Sequence, residues 1–179
     1  MSITTADLEY RLTNPSASAG NQLAQDFPDH SLGGYLSTTV WDGGVLHDLF
    51  PALTGTENSQ SVNQYLCLMI INKHATLTLT SPVLWIVSQV AGGATVAVGI
   101  DPTTSRPIAT NQSQAITVAN INTAPQGVTF SAPTSKGSGL SLGNLAPGYT
   151  KAIWIRRTAA NSAAVAADGF SFRIEGDTL

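Results

Sequence analysis

The sequence predicts an all-β protein, an antiparallel β-sandwich with at most one short helix. Short apolar segments separated by Gly and Pro turns indicate about eight to ten strands. Residues 76–80 alternate strictly between Thr and Leu, the period of a strand with one buried face. The unbroken apolar run over residues 65–71 is too short to cross a membrane and has no helical period. It therefore indicates a central strand covered on both faces, by the protein itself or by a partner.

The first strand is expected over residues 8–13 and ends at the turn signal Asn14-Pro15. The next residues, up to position 34, are rich in Pro, Ser, Ala and Gly, and such long loops are uncommon in compact domains. We expect an extended arm here, lying on its own surface or on that of a neighbour. The predicted organisation is a first strand and arm over residues 1–34 and a sandwich domain over residues 35–179. Partner-docking residues are expected at Phe27, Pro28, Leu32 and Tyr35.

A short helix is expected after Asp42, a good N-cap, and before Pro51, which a helix interior does not tolerate. Residues 55–61 are polar and are expected to form a loop. Later strands are expected over residues 83–87, 95–100, 114–118, 126–132, 149–157 and 169–175. Alternation within the strands predicts a core formed by Leu68, Ile70, Leu77, Leu79, Trp85, Val96, Val98, Ile153, Ile155, Phe170 and Phe172. The strand order, immunoglobulin-like or jelly-roll, is open at this level.

The composition limits the possible functions. Charged residues make up only 11% of the chain and the net charge is -3, against roughly 25% charged residues in ordinary soluble domains. An uncharged Thr/Ser/Asn/Gln surface suits contact with other proteins. The 8 Lys and Arg residues are dispersed, so binding to a nucleic-acid backbone is not expected. Neither a membrane span nor a secretory signal is predicted. Cys67 lies within the apolar run and is expected to pack as a small hydrophobe.

The residues that most often carry chemistry do not form a recognisable site. None of His30, His47 and His74 has another ligand at metal-binding spacing. The Gly-rich residues 137–143 lack the Lys-Ser/Thr ending of a phosphate loop. We therefore expect no catalytic residue, no metal site, no cofactor and no enzyme activity.

Carboxylates near the C-terminus and the tryptophans are further candidate binding groups. The carboxylates are Asp168, Glu175 and Asp177; the tryptophans are Trp41, Trp85 and Trp154. The carboxylates lack the spacing of a calcium loop and are expected to be solvated turn residues. Tryptophans with apolar neighbours on strands are expected to pack in the core or at an interface, and an exposed one beside Asp or Asn would indicate a sugar-stacking platform.

Turn and strand residues spread over nearly the whole chain carry a resemblance to a known group. They lie at 32–34, 37–38, 46–50, 54–55, 72–79, 98–101, 118–120, 123–133, 145–148, 154–158 and 176–178, and include Leu145-Ala146-Pro147-Gly148 and Trp154-Ile155-Arg156-Arg157-Thr158. From residue 8 to the end, the sequence resembles small virion structural proteins encoded by tailed bacteriophages.

This resemblance implies a particle component, made in the host cytoplasm and located in the virion. The first expectation is a capsid decoration or cement protein that docks on the major capsid protein, with the arm gripping neighbouring subunits. A tail, collar or baseplate component is the alternative within the same class, and a carbohydrate-binding adhesion module is the alternative from another class. Assembly as a homo-oligomer is also expected, because symmetry multiplies weak contacts.

Overall fold

The computed structural model describes residues 2–18, 22–45, 47–165 and 167–178. Nine strands lie in these ranges: β1 (Leu8–Asn14), β2 (Tyr35–Val40), β3 (Asn63–Asn72), β4 (Leu79–Gln89), β5 (Thr95–Ile100), β6 (Arg106–Pro107), β7 (Leu140–Ser141), β8 (Tyr149–Thr158) and β9 (Phe170–Thr178). One short α-helix, α1 (Gly55–Ser59), and 3-10 helices at Thr5–Asp7, Pro28–His30 and Lys136–Ser138 complete the elements. The predicted all-β class is confirmed. None of these helices is long and apolar enough to cross a membrane.

The strands form two antiparallel sheets. The larger sheet has the order β2-β1-β3-β8-β5, with β6 added beside β8, and the smaller has the order β7-β4-β9. Strand β1 is an inner strand, because it pairs with β2 on one side and with β3 on the other. The predicted boundary at residue 34 therefore runs through a single sheet, which includes both β1 and the strands that follow position 34.

From β3 onward, the main connections carry the chain from one sheet to the other. Strands β3, β5, β6 and β8 belong to the larger sheet, and β4, β7 and β9 belong to the smaller. An immunoglobulin-like sandwich instead keeps consecutive strands such as A and B, or D and E, within one sheet. The observed connections thus differ from the immunoglobulin-like alternative.

The core lies between the two sheets. Its buried members are Leu12, Leu49, Phe50, Leu66, Leu68, Ile70, Leu79, Leu84, Ile86, Val96, Val98, Leu142, Leu145, Ile153 and Ile155. Phe170 and Phe172 are partly buried and pack against this cluster from β9. Trp85 is buried on the opposite face of β4 from Leu84 and Ile86, with only 8% of its surface exposed. Leu77 is wrong as a core prediction, since it lies half-exposed in the turn before β4.

The outer face of the larger sheet is also covered. A second apolar cluster there contains Leu36, Tyr65, Cys67, Met69, Ile71, Ala115, Val118, Ala152 and Trp154. The cover consists of irregular segments. Two backbone hydrogen bonds hold them, from Val118 N–H to Leu32 O and from Tyr65 N–H to Ile121 O. The central strand β3 is therefore dry on both faces, as its apolar run predicts, and the protein itself supplies the cover.

Three predicted local elements differ from the structure. The described residues between Asp42 and Pro51 form turns without a helix, and His47 has a φ of 63°. The helix forms instead at α1, where Thr54 and Glu57 make a reciprocal capping box. The strand predicted over 114–118 is irregular, because the N–H groups of Gln114 and Ala115 both donate to Gly34 O. The strand predicted over 126–132 is reduced to one isolated bridge, between Ser131 and Val98.

Candidate functional site

The segment over residues 22–30 is held against the edge of β2. The N–H of Thr38 donates to Leu23 O at 3.1 Å, and the N–H of Gln25 donates to the hydroxyl of Thr39 at 2.9 Å. The amide of Asn14 donates to Ala24 O at 2.8 Å. The first of these bonds occupies a backbone N–H that the edge strand β2 would otherwise leave open to another chain, and the other two use side chains of β2 and β1.

Gln25 anchors the segment from inside. Its side chain is buried, and its Nε2 donates to Thr13 O at 3.1 Å and to His30 O at 3.0 Å. A buried amide is stabilising only when its polar atoms are paired, and both of these acceptors are backbone carbonyls of fixed position. Gln25 therefore ties the two ends of the segment to the end of β1.

Ser31 continues this anchoring toward the sheet. Its hydroxyl donates to Cys67 O at 2.6 Å, and its backbone carbonyl accepts from Cys67 N–H at 2.8 Å. The N–H of Thr13 donates to the same hydroxyl at 2.8 Å. Burial raises the pKa of the Cys67 thiol well above its usual range, so this cysteine is an inert packing group, as predicted.

The fixed segment presents apolar side chains to solvent. Phe27 is 61% exposed and Leu23 is 40% exposed. The Phe27 ring lies 5.4 Å from the ring of His30, which is also exposed. Pro28 begins the 3-10 turn that brings these two rings together. We call Leu23, Phe27 and His30 the apolar ridge.

The predicted docking residues separate into two groups. Phe27 is exposed, whereas Pro28, Leu32 and Tyr35 are half-buried. Leu32 packs against both apolar clusters and lines a shallow groove of about 380 Å³ beside His30. Tyr35 begins β2 opposite Asn14. Leu23 is a further member of this surface, and the buried Gln25 and Ser31 support it from inside; sequence reasoning missed the role of all three. Their partners are up to 36 residues away, so no local pattern indicates their role.

A buried polar network holds the irregular segments that cover the outer face of the larger sheet. Asp101 is fully buried, and its carboxylate accepts from the N–H groups of Thr103 at 2.8 Å and Ile116 at 3.0 Å and from the indole of Trp154 at 2.8 Å. The ammonium of Lys151 donates to the backbone carbonyls of Asp101 and Thr103. Burial lowers the pKa of Lys151, and Asp101 opposes this shift. The network joins β8 to the loop that holds residues 32–34.

The tryptophans are used in packing. Trp154 and Trp85 are buried. Trp41 is half-exposed, but its ring stacks on Phe172 at 5.9 Å and meets Tyr10 edge-on at 6.4 Å. The predicted packing role is therefore what the structure displays for all of them.

The candidate histidine and carboxylate side chains also make local structural contacts. The Nδ1 of His74 accepts from the N–H groups of Thr76 and Leu77 and so holds the turn that precedes β4. The carboxylate of Asp168 accepts from Ala94 N–H at 2.7 Å, and Glu175 pairs with Lys136 at 2.7 Å. Within the described part of the chain, no group of three His, Cys, Asp or Glu residues is placed to hold a metal ion.

Comparisons of the chain with protein-family models, with curated proteins and with solved structures found no match.

Proposed function

We propose that this chain is a structural protein of a tailed-bacteriophage virion, and that it acts as a decoration or cement protein on the head. The observation that carries the proposal is the apolar ridge, an exposed Phe27 and Leu23 on a backbone fixed by Gln25, Asn14 and Thr39. A preformed apolar contact loses little conformational entropy on binding, which favours docking at many equivalent positions on a shell.

The charge distribution agrees with docking by apolar and neutral polar contact. The chain carries 11% charged residues, and the ridge itself holds one titratable side chain, His30. The cores of protein interfaces are enriched in aromatic residues, and Phe27 is such a residue. Asp26 and Asp29 flank the ridge and would lie at the polar rim of the contact. The resemblance to tailed-phage virion proteins supplies the class of partner, namely the major capsid protein, with tail, collar and baseplate proteins as the alternative.

The copy number of this chain in purified particles tests the proposal. Quantitative mass spectrometry against the major capsid protein is expected to give on the order of one chain per capsid subunit, since decoration follows the symmetry of the shell. A few copies to a few tens per particle would assign the chain to the tail, collar or vertex instead. Absence from particles would refute the virion proposal altogether.

Phe27→Ala tests the ridge itself. We expect occupancy on particles to fall on the order of tenfold or more, as for an aromatic residue at an interface centre. The free energy of unfolding should stay within about 0.5 kcal/mol of wild type, because Phe27 is mostly exposed. Val45→Ala is the matched control, an apolar side chain that is 69% exposed outside this segment. Equal occupancy of Phe27→Ala and Val45→Ala would move the docking surface elsewhere.

A further inference from the structure

Strand β9 differs from the other sheet edges in its hydrogen bonding. The edge of β2 is covered by Leu23, and its Leu36 N–H donates to the side chain of Gln114. The edge of β5 exchanges hydrogen bonds with Ser131 and with the side chain of Gln89. Strand β7 is only two residues long. Such coverings and short edges are the usual protection against pairing with another chain.

The outer edge of β9 has no comparable cover in the described residues. This strand is nine residues long and pairs only with β4, and the described residues supply no hydrogen bond to its backbone from the other side. Its side chains alternate between a half-buried inner set, Phe170, Phe172 and Ile174, and an exposed outer set, Ser171, Arg173, Glu175 and Asp177. Two register shifts on the β4 side interrupt the ladder between β4 and β9, between Thr80 and Val83 and between Ile86 and Ser88. Residues 170–177 of β9 themselves alternate without a break, and a long edge strand that is unpaired on one side is a template for β-augmentation.

The charges of β9 are complementary to those of a second β9. A two-fold axis that pairs the strand antiparallel over its full length passes through its central residue, Ile174. In that register, Arg173 lies directly opposite Glu175 of the second copy, twice by symmetry, and Ser171 lies opposite Asp177. A shift of the axis by one residue, to Arg173, would instead oppose two arginines. Charged residues that only protected an edge would not need this pairing of opposite signs.

The inner side chains fit the same register. Phe172 would face Gly176 of the second copy, a pairing in which an aromatic ring covers the gap left by a glycine. Beside this edge lies an open groove of about 450 Å³, lined in part by Leu8, Tyr10 and Phe172. Arg173 has no ion-pair partner among the described residues, and the pairing would supply one.

We propose that this chain forms a two-fold symmetric homodimer through antiparallel β9–β9 pairing centred on Ile174. The three-stranded sheets of the two copies would then join into one continuous sheet of six strands. The apolar ridge is bonded to β2 of the larger sheet, whereas the proposed dimer pairs strands of the smaller sheet. This inference does not depend on the virion proposal, because it concerns the purified chain alone.

Charge reversal and rescue test the dimer by sedimentation of the purified chain over a dilution series. Wild type is expected to be a dimer. Arg173→Glu places two like-charged pairs at the interface and should raise the dissociation constant by roughly tenfold. The double variant Arg173→Glu/Glu175→Arg restores opposite charges and should recover most of the loss. Lys136→Ala is the control, because it removes the intrachain partner of Glu175 and leaves the pairing across the axis intact.

A cysteine placed on the axis tests the register. Ile174→Cys should cross-link to its own copy under mild oxidation, because the two side chains face each other. Ser171→Cys should not, since the two positions would be about 20 Å apart along the antiparallel pair. Circular dichroism checks that both variants are folded. A monomeric wild type, a dimer that Arg173→Glu does not weaken, or equal cross-linking at both positions would each overturn the proposal.

Discussion

Replacing Asp101 with alanine tests whether the loop cover of the larger sheet is held by one buried carboxylate. This carboxylate accepts hydrogen bonds from two backbone N–H groups and from the indole of Trp154. It is also the acidic group whose charge acts on the buried Lys151 ammonium. Asp101→Ala removes the acceptor of three donors and the nearby negative charge that favours the charged form of Lys151.

The expected magnitude follows from these contacts. Leaving a buried donor unsatisfied costs about 1–3 kcal/mol, and three donors lose their acceptor in this variant. These costs overlap, since water can reach part of the space vacated by the carboxylate. We therefore expect Asp101→Ala to destabilise the protein by about 4 kcal/mol. Asp101→Asn keeps one acceptor oxygen and the side-chain volume, so it should cost about half as much.

Urea unfolding monitored by tryptophan fluorescence measures this change, provided that the dependence of the unfolding free energy on urea is the same for each variant. Hydrogen exchange adds a local measurement: protection should be lost first at residues 114–118 and 32–34, which the network joins. A supporting role for this carboxylate would be refuted if Asp101→Ala changed the free energy of unfolding by less than about 0.5 kcal/mol. It would also be refuted if hydrogen exchange at these residues were the same in Asp101→Ala as in wild type.

Three further predictions concern the core, the pH dependence and the first strand. Trp85→Ala should destabilise the protein by about 3 kcal/mol in urea unfolding, because only 8% of the surface of Trp85 is exposed. A near-neutral change would mean that β4 can repack. Burial alone would raise the pKa of Glu9, but hydrogen bonds from Lys73 and Arg11 outweigh it and lower the pKa. The contribution of Glu9 is therefore complete above the ordinary carboxyl pKa and is lost as pH falls through the lowered value, so Glu9→Gln should give a shallower acid limb of stability against pH. Deleting residues 1–30 should abolish cooperative unfolding, since it removes an inner strand; a folded product would show that β2 can pair directly with β3.

The last of these departs from the organisation predicted from sequence, in which a first strand and arm over residues 1–34 lie outside the sandwich domain. Residues 8–13 alternate between apolar and polar side chains as a strand does. This alternation indicates which face of a strand is buried, but it does not indicate which strands pair with it. The few apolar residues after Asn14 likewise predict little loss of core. The structure shows that this segment is held by polar groups instead, through Gln25 and Ser31, whose partners are distant in sequence.

The central strand was predictable in more detail. The run over residues 65–71 indicates burial on both faces, and the alternation around Trp154 places Ile153 and Ile155 on the opposite face from the tryptophan. The identity of the cover was not predictable, because irregular loops have no period. The capping residues Thr54 and Glu57 were a usable local signal for α1 that the polar character of the segment obscured.

The position of β3 in the larger sheet has a consequence for synthesis on the ribosome. One edge of β3 pairs with β8, so that Asn63 lies opposite Thr158, 95 residues later. Until β8 leaves the ribosome, the most apolar strand of the chain has an open edge and uncovered faces. Folding of the larger sheet is therefore expected to wait for nearly the whole chain, and pairings this distant in sequence form slowly. The nascent protein is a natural client for chaperones that shield extended apolar segments.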